Sequence, residues 1–269
     1  MERKINNLSI CYLLFLILLF LSGSLSGAIS DLVQYFAYIL PFALGLYFMR
    51  DEEPCEENYL HFGRERFKFT LPLIFPTVFL IMSLSAFTSM VISFVSGAEK
   101  NVDIGRELIP ALIAHALIPA LFEEALFRYL PMRMLKNHSK RLVILVSAAF
   151  FALIHHSLFS IPYAFVAGVI FMAVDLVCDS VVPSFLLHFI NNAVSVGLLV
   201  YKDNSVFAPT IFALVAILAV ISLLFIFVKR KEYAEKFFTL LKGKEQAILT
   251  LPAAVFVAVC IVIAIVSII

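Results

Sequence analysis

Runs of about twenty apolar residues, separated by short charged clusters, recur along this 269-residue chain and decide what it can fold into. In hydrocarbon no water satisfies a backbone N–H or C=O, so each run must close its hydrogen bonds internally as a helix. Nine spans are expected, at approximately 8–29, 32–49, 69–95, 108–130, 141–160, 161–178, 181–201, 208–228 and 248–269. Composition agrees: 62% of residues are hydrophobic, 14% are charged and mean hydropathy is +1.02, whereas a soluble domain carries about 25% charge. The predicted fold is an all-α, polytopic transmembrane bundle of about eight to nine spans. It divides into N-terminal helices (1–107), a core of four helices (108–200) and C-terminal helices (201–269). The basic start followed by Leu8–Leu21 has the outline of a signal peptide. A retained first span suits a chain that stays in the membrane throughout.

Lysine and arginine accumulate in cytoplasmic loops. With the N-terminus inside, sixteen of the twenty fall on the cytoplasmic side, at the N-terminus and in the 50–68, 133–141 and 229–244 segments. Only Lys100, Arg106 and Lys202 fall outside, and Arg128 lies within a span. Nine spans with a cytoplasmic N-terminus and an external C-terminus satisfy this distribution; removing one would misplace the last basic segment. A net charge of +1 offers no surface for nucleic acid. Four scattered cysteines, none in a C-x-x-C pair, suggest neither a disulfide framework nor a thiolate metal site.

A charge at mid-bilayer costs about 2.5–3.5 kcal/mol on insertion scales, so ionisable residues inside spans face the protein interior and mark function. The fourth run carries Glu123 and Glu124, with Arg128 one turn after Glu124 and placed to pair with it. Glu123 points about 100° away on the helix, without a local partner. The fifth run places Phe151 and His155 one turn apart, and the seventh does the same with His188 and Asn192. A carboxylate, two imidazoles and an amide facing one interior form a kit for hydrolysis. Glu123 can take a proton from water, a histidine can relay it to the leaving amine, and His188 with Asn192 can stabilise an oxyanion. The alternative is a zinc site of the His2Glu kind through Glu123, His155 and His188.

Glu123-Glu124-x-x-x-Arg128, Phe151-x-x-x-His155 and His188-x-x-x-Asn192 resemble, in order and spacing, the three motifs of the CPBP intramembrane proteases. That group includes type II CAAX prenyl proteases and bacteriocin self-immunity and lysostaphin-resistance-like proteins. The resemblance spans about residues 108–200, with Tyr129 where the family often has glycine. It implies a buried cavity in which Glu123 and His155 activate water, His188 and Asn192 hold the oxyanion, and Glu124, Arg128 and Phe151 give support. It also implies a peptide or membrane-protein substrate within the lipid bilayer, and placement in the plasma membrane of a prokaryote.

Other uses of the same residues predict different things. Glu123 and Glu124 could end a helix among headgroups, and His188 with Asn192 could merely bond helices together. His115 and His156 read as packing residues, and Asp175 and Asp179 as helix-end residues. A scaffold or immunity protein that binds a peptide or membrane partner would keep its function without Glu123. A proton-coupled transporter would need an inverted repeat, and the sequence contains none.

Overall fold

A computed structural model describes residues 2–50, 58–97, 107–155, 157, 159–241 and 251–266. Ten helices and no strands account for the described residues, and the chain is an integral, multi-pass membrane protein. The helices are α1 (Glu2–Gly23), α2 (Gly27–Phe48), α3 (Arg64–Ser96), α4 (Leu108–Met134), α5 (Lys140–Leu153), α6 (Ile161–Cys178), α7 (Val182–Val200), α8 (Phe207–Val228), α9 (Arg230–Phe238) and α10 (Leu251–Val266).

Six segments are long and apolar enough to cross a bilayer, in α1, α3, α4, α6, α7 and α8, and shorter apolar stretches occupy Leu32–Phe48 and Pro252–Ile261. The expected 141–160 span ends early, at Leu153. Its fourteen residues extend roughly 21 Å, short of the ~30 Å hydrocarbon core. A turn through Ile154 and His155 follows, and α6 restarts with Pro162 in its first turn. Proline suits that position because an N–H there would have no helical acceptor.

The short α5 brings two depths into agreement. Helix α4 runs four residues past the expected end at Leu130, so Glu123 lies eleven residues before its end at Met134. His155 follows the end of α5, which starts on the side where α4 ends. Both residues therefore sit roughly 16–20 Å from that face.

Helix α4 is not a uniform α-helix. Two π turns interrupt it, at Ile113–Leu117 and Ala125–Tyr129, and each ends two residues before a proline, Pro119 and Pro131. Proline has no N–H for the carbonyl four residues back, so His115 and Phe127 lose their α-helical donors. The Leu130 N–H turns to Ala125 O instead. The carbonyls released near the second π turn find side chains: Tyr12 Oη on α1 donates to Leu126 O at 3.1 Å. Ser147 Oγ on α5 and Arg128 Nη1 both donate to Phe127 O. An irregular stretch inside a membrane is tolerated because these partners are protein groups.

Tyr12 also anchors the packing behind α4. Its ring stacks on Phe127 at 4.7 Å and tilts against Phe150 of α5 at 4.6 Å, while Phe256 of α10 packs on Phe150 at 4.9 Å. Helices α5 and α6 approach closely at Gly168, where a Cβ would come within 2.8 Å of Ala148 Cα. On the opposite side of α4 a cavity of about 810 Å3 lies between helices α3 to α8.

Candidate active site

Glu124 is the hub of the buried polar cluster. Its Oε2 lies 3.1 Å from Arg128 Nε, the (i, i+4) pair expected from the sequence. Its Oε1 lies 2.7 Å from His188 Nδ1, joining α4 to α7 across 64 residues of sequence. Arg128 is fully buried; its guanidinium also lies 3.2 Å from Ser147 Oγ and 4.5 Å from the centre of the Phe151 ring. The cation is thus held by a carboxylate, a hydroxyl, a carbonyl and an aromatic face, which offsets the cost of removing it from water. Phe151 supports the site through its ring, which also meets His155 at 4.9 Å and His188 at 5.6 Å.

The structure orients both histidines in the same way. A carboxylate oxygen only accepts hydrogen bonds, so His188 Nδ1 carries the proton it shares with Glu124. His155 Nδ1 lies 2.8 Å from Phe151 O, a carbonyl that also only accepts. In the neutral imidazoles Nε2 is therefore the acceptor nitrogen on each ring. His188 Nε2 faces Glu123 Oε2 at 3.9 Å, beyond hydrogen-bond length. That oxygen is buried and has no hydrogen-bond partner among the described residues.

His155, His188, Asn191 and Asn192 line the large cavity. Asn191 Nδ2 donates to Asn192 Oδ1 at 3.3 Å, which leaves the Asn192 amide N–H2 to the cavity. The structure thus brings His155, His188 and Asn192 to one space; Glu123 is not among the lining residues, and its Oε2 lies 3.9 Å from His188 Nε2. Glu124 holds Nδ1 of the His188 ring, Phe151 meets that ring edge-on, and Arg128 reaches it through these two residues.

Several residues here carried little signal in the sequence. His115, which reads as a packing residue, lies in the first π turn and lines the cavity, as does Ser195. An ionisable group in an apolar run was its only cue. Asp175 sits near the end of α6, as expected, but is fully buried, and its Oδ1 accepts the Ser184 N–H at 2.9 Å. It thereby caps the N-terminus of α7 one turn before His188. Asp179 ends α6 in the left-handed region, at φ 46°. His156 lies outside the described residues.

The zinc alternative needs three ligands in one place. Among the described residues no three His, Cys, Asp or Glu side chains group so as to hold a metal ion. The Nδ1 bonds of His188 to Glu124 and of His155 to Phe151 O would suit ligation through Nε2, so it is the spacing of the three side chains that argues against a metal. The Glu123, His155 and His188 set does not fit a metal site in this arrangement, and no step below runs through one.

Residues 105–194 match the family model described as type II CAAX prenyl endopeptidase Rce1-like. The matched stretch is about a third of the chain and holds all three motifs, so the resemblance to the CPBP proteases is borne out there. Over this stretch the chain is thus similar to membrane-embedded proteases of the CAAX type. No curated protein and no solved structure gives a significant match.

Proposed function

We propose that this membrane protein with a CPBP-type core is an intramembrane endopeptidase in which Glu123 and His155 activate water. The observation that carries the reading is the buried fork at His188. One carboxylate of the Glu pair fixes the imidazole, and the other is left with an oxygen that no group among the described residues satisfies. A buried carboxylate oxygen without a donor costs free energy, and a water held against it relieves that cost. Asp175 Oδ2 is likewise unpartnered, and what sets Glu123 apart is that its oxygen lies 3.9 Å from His188 Nε2.

The chemistry follows from the donor and acceptor assignments. Glu123 takes a proton from the water as its oxygen attacks the scissile carbonyl carbon. His155 relays a proton through Nε2 to the departing amine, its ring held by the Phe151 carbonyl. The oxyanion receives the Asn192 amide N–H. His188 donates to it through Nε2 in its protonated form, whose charge Glu124 stabilises. The roles of Glu123, His155, His188 and Asn192 remain those read from the motifs. His188 gains a condition, since it donates only while cationic.

The cavity wall suits an extended, largely apolar segment: Ile81, Met82, Phe171 and Phe212 face the polar strip of Asn191 and Asn192. C-terminal CAAX processing is the substrate class the family match favours, and cleavage of membrane-protein segments is the broader one. The test is a cleavage assay in proteoliposomes with a farnesylated CAAX peptide and an unprenylated transmembrane peptide. Release of a C-terminal fragment from either supports the endopeptidase reading, and prenyl dependence assigns the CAAX class. Intact peptides in both mixtures would favour a scaffold that binds a peptide or membrane partner.

A further inference from the structure

A second cavity, of about 510 Å3, opens between the first half of α5, the middle of α6 and helix α9. Ile144 and Leu145 form one wall, Val169 and Ala173 the facing wall, and Phe237 covers one end. Arg141 is its single charged lining residue, and no other polar side chain lines it. Arg141 makes no hydrogen bond or ion pair among the described residues. Its neighbour Lys140, in contrast, donates to Leu176 O at 3.2 Å.

The position of this groove defines what can fill it. Arg141 is the second residue of α5, at the end of the bundle where α8 gives way to the charged helix α9. Ile144 and Leu145 lie one turn further along α5, toward the bilayer interior. The groove thus has a cation at the membrane surface and an apolar trough running inward. On α9, Glu232 lies near Lys229 at 3.8 Å and Lys236 at 3.7 Å, and among the described residues neither it nor Glu235 forms an ion pair with Arg141. A peptide strand would need backbone donors and acceptors that the trough does not offer, whereas an acyl chain needs none.

We propose that this groove is a binding site for an anionic glycerophospholipid of the surrounding leaflet, with its phosphate on Arg141 and one acyl chain along Ile144, Leu145, Val169 and Ala173. Guanidinium and phosphate oxygens form charge-assisted hydrogen bonds of matched geometry. The basic segments of the sequence gather on this face, and polybasic surfaces draw anionic lipid. The bound lipid braces α5 against α6 upstream of Phe151 and His155. The site is independent of whether the chain is a protease.

Native mass spectrometry tests it on protein released from nanodiscs holding equal phosphatidylglycerol and phosphatidylcholine. The wild type retains one phosphatidylglycerol in preference to phosphatidylcholine. Arg141→Gln, at an exposed position, weakens that retention about fivefold. Ala173→Phe fills the trough and removes retention with the charge intact. Leu145→Trp, at the accessible rim, does the same if the Ala173 variant does not fold. Equal retention of the two lipids by the wild type would overturn the proposal. So would phosphatidylglycerol retention unchanged by Arg141→Gln, or by a trough-filling variant that folds.

Discussion

At the scale of single residues, the polar cluster is a set of acceptors and donors with little surplus. Glu124 serves Arg128 and His188 at once. Glu124→Ala leaves a buried guanidinium without its carboxylate, a loss of about 3–5 kcal/mol. It is read as a large fall in melting temperature in detergent, and Glu124→Gln should recover part of it. Asp175 acts at one remove, through the Ser184 N–H that starts α7. Asp175→Ala costs about 1–2 kcal/mol, while Asp175→Asn keeps an acceptor oxygen and most of the stability; the same melting measurement distinguishes them. The Glu124–Arg128 pair was legible in the sequence because one helical turn guarantees proximity. The Glu124–His188 bond was not, since nothing in a linear string says which of two adjacent carboxylates α7 will face.

At the scale of elements, the two π turns of α4 matter most. Their sequence cue was present in Pro119 and Pro131, twelve residues apart, but proline marks a disturbance without saying how the helix absorbs it. Here the answer is an added residue per turn, common near functional sites. Pro131→Ala returns an N–H to the Phe127 carbonyl and competes with Ser147 for it. The variant is expected to keep or raise its melting temperature while losing about 10-fold or more in turnover, because a shift of about 1 Å at the site is enough. Loss of stability together with turnover would argue that the π turn is only a packing accommodation. Gly168 is the other sensitive position. Gly168→Ala forces α6 away from the Ala148 backbone and costs about 1–3 kcal/mol; a neutral melting temperature would contradict that contact. The early end of α5 was missed because His155-His156-Ser157 leaves the apolar average of the run high. The polar residues, not the average, set the boundary.

At the scale of the whole molecule, the bundle was legible because length and apolarity alone force helices in hydrocarbon. Which helices wall the cavity was not. Residues 108–200 carry the motifs, yet α3 and α8 contribute Ser85, Ser89 and Phe212 to the same space. Small, unremarkable residues there give no signal until the helices pack. Orientation remains a proposal from charge, with the N-terminus in the cytoplasm and the C-terminus outside. Reporter fusions at the two ends should fluoresce only inside at the N-terminus and report export only at the C-terminus. Both ends on one side would require an even number of crossings.

The central claim is that Glu123 activates the attacking water. The most direct measurement is the single-turnover cleavage rate of wild type and Glu123→Gln in proteoliposomes prepared in oxygen-18 water. The account predicts label in the new carboxyl group for wild type and a rate lower by about 100-fold or more for Glu123→Gln, with melting temperature nearly unchanged. A Glu123→Gln protein that cleaves at the wild-type rate would contradict it.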